Sequence, residues 1–370
     1  MIEWYDEAWE QAIKKVSQIS NRIEDTFPHV SIEGQYNSER SGFWTAGFWP
    51  GLLWLIYKET QDENIKKYAV SCEMQLDKDL HNFVGIHHDV GFMWILSSVA
   101  HYKLLKDEES RKRGLIAASH LAGRFNIKGN FIRAWTDKVY ADSQGWAIID
   151  CIMNVPLLYW ASEELNDPRF KHIAMAHTET VMNEFIRNDG SVHHIVCFDP
   201  ESGERVGALG GQGYSEESAW ARGAAWAIYG LSIGYGYTKD KRYLDKAKQV
   251  AHFFIANLPE DKLPCWDFRA PKEHRDGKDS SAAACAASGL LELCKYLDGI
   301  ERDFYHEKAE EILHSLYENY GAWGDEEEAL ITMGTVNYTR SKYVNTPIIY
   351  GDYFFVEALA KLKGEEELFW

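Results

Sequence analysis

Two aspartates stand where a carboxylate is costly. Asp150 lies between Ile149 and Cys151 in the run GWAIIDCIMNVPLLYWA, and the spacing predicts that it sits one turn into an apolar helix. A buried carboxylate is unfavourable unless it is paired or hydrogen-bonded. Burial also favours the neutral acid, and an Asp protonated near neutral pH is what a general acid needs. Asp89 follows a histidine pair in HHDVGFMW. A second carboxylate nearby would push the two pKa values apart; at this point a helix cap explains Asp89 equally well. The chain also carries 14 Trp, 20 Tyr and 17 Phe. Most must fill a core, but flat apolar rings can also stack on sugar faces. Two carboxylates in an aromatic cleft point to chemistry at a glycosidic bond.

Other motifs carry less. His87, His88 and Asp89 are of metal-ligating types, but adjacent residues on a helix point in different directions. HExxH does not occur in the sequence, and no metal is expected. Gly230 to Gly234 reads GLSIG and fits GxSxG, yet it falls inside a helical stretch rather than at a strand–turn–helix elbow. GALGGQG at 207–213 has no following Lys and no βαβ setting, so it reads as an active-site loop. Asp279 and Asp352 read as helix caps or first-turn acids, where the helix dipole favours negative charge.

The elements that position these residues alternate between two kinds of helix. The first, about Asp6 to Asp25, places Trp9, Ile13, Val16, Ile19 and Ile23 on one face. The second, about Trp44 to Thr60, is apolar nearly all round, so it must be buried on every side. Amphipathic segments recur near 62–79, 108–125, 167–187, 240–257 and 302–319. Apolar ones recur near 88–105, 143–165, 217–237, 279–298 and 350–363. TQDENIKKYAV, LKDEESRKRGL, LNDPRFKHIAM and TKDKRYLDKAK each place an Asp at a helix cap. Twelve helices in alternating roles predict an all-α, six-hairpin toroid, an (α/α)6 barrel, with 1–370 as a single domain. Short hairpins are expected in the loops near 125–140 and 190–215. In such a ring the inner helices share one direction, so their starts meet at one mouth. That mouth would gather Trp44, Asp89, Asp150, Trp220, Arg222, Trp226, Asp279 and Asp352.

Charge and composition exclude other classes. The net charge is −18, without the basic footprint of a nucleic-acid binder. The longest apolar stretch, Gly47 to Tyr57, is too short to span a bilayer. The N-terminal stretch is charged and amphipathic, unlike a signal peptide. None of the six Cys forms a CxxC pair. Reduced thiols and a cytoplasmic location are expected.

These segments resemble the unsaturated glucuronyl hydrolases, family 88 of the glycoside hydrolases. The resemblance is carried by FPHV, WTAGFWPGLLWL, HHDVGF, IRAW, IIDCIMNVPLLYWA, HHIVCFDPESG, GQGYSEESAWARGAAWAIYG, CWDF, DSSAAA and GDYFFVEAL, in that order along most of the chain. It implies an (α/α)6 barrel that releases a C4=C5 unsaturated uronic acid from the non-reducing end of lyase-generated oligosaccharides. The implied reaction hydrates the vinyl ether and needs no cofactor. It makes Asp150 the acid and base and Asp89 its assistant. His88, Trp44, Trp135, His194, Gln212, Trp220, Arg222 and Trp226 fall on the family's substrate-contacting positions. Arg222 would pair with the uronate carboxylate through charge-assisted hydrogen bonds. Trp146, where some members carry a basic residue, and the segment TVNYTRSKYV around Tyr338 depart from the family pattern, which leaves the second sugar open. The alternatives are an unsaturated rhamnogalacturonyl hydrolase acting on pectin fragments, a non-catalytic sugar-binding barrel, and a sugar epimerase, which would use histidine pairs. The oligomeric state is not legible in the sequence.

Overall fold

Residues 3–83, 85–136 and 143–370 are described by a computed structural model. Every residue of the helix Ser280–Cys294 is buried, as is every residue from Ile349 to Ala360 in the helix Ile349–Leu362. The helices Phe48–Thr60 and Ala221–Thr238 are buried along most of their lengths. These are the segments read as apolar all round. They pack side by side, Ala221–Thr238 on Ser280–Cys294, Ser280–Cys294 on Ile349–Leu362, and that on Phe48–Thr60. Two further inner elements, Val90–Leu105 and the stretch ending in Pro156–Leu165, complete the inner layer.

The amphipathic segments form the outer layer and bury one stripe each. In Trp4–Ile23 the stripe is Ala8, Trp9, Ala12, Val16 and Ile23; in Lys241–Ala256 it is Tyr243, Ala247, Val250, Ala251 and Phe254. Each large apolar side chain buried this way contributes about 1.5–3 kcal/mol. Asp62, Asp107 and Asp240 cap the outer helices as expected, each accepting a backbone N–H of its helix's first turn. At Arg169–Thr180 the cap residue is instead Pro168, although Asp167 still accepts the Arg169 N–H at 3.0 Å. Among the described residues, twelve helical segments in alternating layers make the (α/α)6 barrel.

Three differences from the sequence reading matter. The inner segment expected as a helix over 143–165 is a strand, Trp146–Ile148, then a 3-10 turn, Ile149–Met153, and only then the helix Pro156–Leu165. Aromatic and β-branched residues favour extended backbone there, because a neighbouring strand, Ile195–Phe198, is available to pair with them. The segment over 88–105 is interrupted by a π-helical turn, Ile95–Val99. A hairpin not foreseen, Phe27–Ile32 with Gln35–Glu39, turns through Glu33 and Gly34, both at positive φ. Hairpins do occur at Phe125–Asn126 with Phe131–Ile132 and at Ile195–Phe198 with Arg205–Leu209. Residues 137–142 of the first expected loop lie outside the described residues.

The inner elements touch without spacer side chains. A Cβ placed on Gly47 would lie 2.0 Å from the Phe92 carbonyl oxygen and 2.7 Å from the Met93 Cα. Backbone on both sides leaves nothing to yield. Gly47→Ala should therefore lower stability by about 1–3 kcal/mol, read as the urea midpoint. A wild-type midpoint would mean that the two segments are not in this contact.

Candidate active site

The start of every inner element contributes to one end of the barrel. Trp44 opens a 3-10 turn ahead of Phe48–Thr60, and Asp89 is the cap residue ahead of Val90. Asp150 lies in the turn Ile149–Met153, Trp220 caps Ala221–Thr238, and Asp279 caps Ser280–Cys294. Tyr350 lies in the first turn of Ile349–Leu362.

A small three-stranded sheet brings Asp150 to His194. Ile148 pairs with Ile195 across the strands, and the Ile149 N–H donates to the His194 carbonyl at 3.0 Å. The next residue on one side and the same residue on the other then project together: Asp150 Oδ2 lies 3.5 Å from His194 Nε2. Both atoms are buried, and neither has a hydrogen-bond partner among the described residues.

Asp89 is not a side-chain cap. Its carboxylate makes no cap hydrogen bond and faces His87 Nδ1 at 3.2 Å, His88 Nε2 at 3.4 Å and Asn154 Nδ2 at 3.3 Å. Burial alone would push Asp89 up, but His88, His87 and Asn154 outweigh it and hold the carboxyl below its ordinary value. Burial pushes His88 down to about 4, so its ring is neutral near pH 7. His87, His88 and Asp89 could also hold a metal ion, since one donor atom from each lies within 4.8 Å of the others. The histidines approach opposite oxygens of Asp89, His87 at Oδ2 and His88 at Oδ1.

Asn154 joins the two aspartates and was not singled out by sequence reasoning. Its Nδ2 donates to Asp89 Oδ1 and, at 3.0 Å, to the Asp150 carbonyl, while its Oδ1 accepts the Phe92 N–H at 2.8 Å. It stands one helical turn beyond Asp150 in the same apolar run, and that polar i+4 echo was the available signal. Tyr350 was also missed. Its buried hydroxyl has no hydrogen-bond partner among the described residues, and its ring lies 5.0 Å from Trp44 and 5.3 Å from the Arg222 guanidinium carbon.

Arg222 is held by protein groups on both of its Nη atoms. Nη1 donates to Asp279, and at 2.7 Å to the Thr335 carbonyl; Nη2 donates to Gln212 Oε1 at 3.0 Å and to the Val336 carbonyl at 2.9 Å. Asp279 caps its helix as expected and takes on this second role as well. Asp352, a first-turn acid, is bonded by Tyr36 and by the backbone of Leu330 and Ile331. The remaining expected residues fall into two groups. Trp226 is fully buried against Phe92 and Phe354, beneath Trp44, which also meets Phe92. Trp135, Trp146, His194 and Gln212 line a cavity of about 260 Å³ with Leu209, Asn337 and Arg340. The 335–345 segment is fixed by Tyr338, which stacks on Trp266 at 4.5 Å and donates to Asp276.

The arrangement can deliver a proton and place a negative charge beside it, against aromatic walls. Asn154→Ala would orphan the buried Phe92 N–H and release the Asp89 carboxylate and the Asp150 backbone carbonyl. It should cost about 1–3 kcal/mol of stability, and Asp89 and Asp150 should lose their fixed separation in a crystal structure of the variant. Unchanged stability and geometry would contradict the bridging role.

Comparison with known proteins places the chain in a family. Glycosyl Hydrolase Family 88 matches residues 13–354. The unsaturated glucuronyl hydrolase of Bacillus sp. (strain GL1) is 36% identical over 371 residues, covering 98% of each chain. The unsaturated chondroitin disaccharide hydrolase of Streptococcus pyogenes serotype M1 is 34% identical, covering 98% of this chain and 92% of that one. The crystal structure of the Bacillus sp. GL1 unsaturated glucuronyl hydrolase superposes with a TM-score of 0.94 at 35% identity, covering 99% of this chain and 98% of that one. With its barrel, its paired aspartates and this match along nearly its whole length, the chain belongs to glycosyl hydrolase family 88, the unsaturated glucuronyl hydrolases.

Proposed function

We propose that this chain releases the Δ4,5-unsaturated uronic acid from the non-reducing end of glycosaminoglycan-type oligosaccharides left by polysaccharide lyases. The observation that carries the reading is the set of buried polar atoms without partners at the mouth. Among the described residues, Tyr350 Oη, Trp226 Nε1 and both ring nitrogens of His88, from three separated stretches of chain, have no hydrogen-bond partner, and Asp150 Oδ2 and His194 Nε2 face each other at 3.5 Å. A buried polar atom left unpaired costs about 1–3 kcal/mol, and a hydroxylated, carboxylated ring would satisfy several at once.

The planar double bond can lie flat against Trp44. The Asp150 carboxyl transfers its proton to C4, and positive charge develops over C5 and the ring oxygen. The resulting Asp150 carboxylate takes a proton from water as the water oxygen bonds to C5, which restores the acid. The hemiketal at C5 opens by breaking its bond to the ring oxygen and leaves a ketone. The hemiacetal freed at C1 then expels the remaining saccharide as an alcohol. Asp89, held ionised, stabilises the cationic stage, and Arg222 acts from behind as part of the wall. None of these steps draws on a cofactor.

The cavity beside His194 is suited to the leaving saccharide, with Trp135 and Trp146 as its aromatic wall. The Streptococcus pyogenes relative is a chondroitin disaccharide hydrolase, which favours a glycosaminoglycan fragment over a pectin one. None of the described helices is long and apolar enough to cross a membrane. All six cysteines are free thiols, which supports a reducing, cytoplasmic setting.

The test follows the ultraviolet absorbance of the conjugated C=C in lyase-generated disaccharides. It should disappear with chondroitin, hyaluronan or heparin products. Disappearance with pectin products alone would favour the rhamnogalacturonyl alternative, and persistence with all of them would favour a sugar-binding barrel. Asp150→Asn should cost at least about a hundredfold in kcat with the circular dichroism unchanged. Near-wild-type turnover in that variant would refute the acid role.

A further inference from the structure

The glycine-rich loop at 207–213 has a second task beyond lining a cavity. Gly211 sits at φ +61, a conformation that L side chains rarely adopt. A Cβ there would lie 2.0 Å from His194 Nδ1 and 2.6 Å from its Cε1. The turn presents the next backbone N–H, that of Gln212, to His194 Nδ1 at 2.8 Å. A backbone N–H can only donate, so Nδ1 must accept, and the ring proton of neutral His194 resides on Nε2. The Gly210 carbonyl approaches the same Nδ1 at 3.3 Å and would select the opposite tautomer, but its contact is the longer one. Nε2–H then faces Asp150 Oδ2 at 3.5 Å, and neither atom has a hydrogen-bond partner among the described residues.

The turn is itself held. Gln212 Oε1 accepts from Arg222 Nη2, and Arg222 is locked by Asp279 and the carbonyls of Thr335 and Val336. Trp220 packs on the other side of the imidazole, with ring centres 4.5 Å apart. The Arg222 guanidinium also lies over Trp220, at 4.7 Å. The imidazole is therefore fixed from its Nδ1 side and along one face.

We propose that the Gly211–Gln212 turn, pinned by Arg222, locks His194 as a neutral Nε2–H donor to Asp150. His194 and Gly211 are then positioning residues that act through the carboxyl group. With Oδ2 engaged, the second oxygen is left to carry the proton to and from the double bond. This inference rests on the reading of Asp150 as acid and base. It also gives Arg222 an anchoring role.

The experiment is nitrogen NMR of protein labelled at histidine, with the His194 signals assigned by their loss in His194→Gln. At neutral pH the wild-type protein should show His194 with a bare Nδ1 and a protonated Nε2. In Gly211→Ala that single tautomer should be lost. Its kcat should fall by about tenfold or more while KM changes by less than about twofold, because the ring acts on Asp150 rather than on binding; its pH profile should shift as well. His194→Gln, whose amide nitrogen can reach the Nε2 position, should retain more activity than His194→Asn. A wild-type His194 protonated at Nδ1 would overturn the proposal, and so would a Gly211→Ala protein with unchanged tautomer and pH profile. Should Gly211→Ala fail to fold, the wild-type tautomer and the ranking of Gln over Asn still decide. The tautomer is read without turnover, so a failure of the Asp150 assignment would show separately, as activity in Asp150→Asn.

Discussion

The carboxamide of Asn154 joins parts of the mouth that come from distant stretches of chain. Through two donated and one accepted hydrogen bond it fixes the Asp89 carboxylate, the Asp150 backbone and the Phe92 N–H relative to one another. A Cβ on Gly91 would fall 2.4 Å from the Asn154 Cα, so the two segments are in backbone contact there. From this point the contacts run around the opening: Asp150 to His194, His194 to Trp220, Trp220 to Arg222, Arg222 to Tyr350, Tyr350 to Trp44, and Trp44 back to Phe92. The wall is closed, so each catalytic group is braced from both sides. Such preorganisation lets electrostatic groups act without reorganising during the reaction.

The Arg222–Asp279 pair is the second fixed point. Both side chains are almost wholly buried. Taking two charges out of water costs several kcal/mol each, and their attraction restores this only with good geometry and additional hydrogen bonds. Those bonds are present: two backbone carbonyls and Gln212 on the arginine, and the first-turn N–H groups of Ser280–Cys294 on the aspartate. The pair ties the start of one inner helix to the start of the next and to the loop that contacts His194. It is better understood as a register pin than as a source of net stability.

Much of this was legible in the residues. The stripes of Trp4–Ile23 and Lys241–Ala256, the capping aspartates, and the apolar faces of Phe48–Thr60 and Ser280–Cys294 all follow from periodicity, because helix burial is a local pattern. The convergence of Asp89, Asp150 and Trp220 follows from topology alone. What was not legible depends on partners distant in sequence. Trp146–Ile148 reads as helix until Ile195–Phe198 is known to pair with it. The hairpin over residues 27–39 has a two-residue Glu33–Gly34 turn as its local signal, weaker than the helical pattern on either side. The anchoring of Arg222 is not legible until Asp279, Thr335 and Val336 are seen to bond it. Asn154 reads as an oddity in an apolar run because its partners, Asp89 and Phe92, are more than sixty residues away.

The central claim is that Asp150 delivers a proton to C4 from one fixed face while water adds at C5. It is tested most directly by running the reaction in deuterium oxide and reading early product by proton NMR. An enzyme-held acid should place deuterium at C4 in a single configuration. Deuterium spread equally over both configurations at C4 from the start would mean that C4 is protonated in free solution after an ordinary cleavage at the anomeric carbon, and would contradict the account.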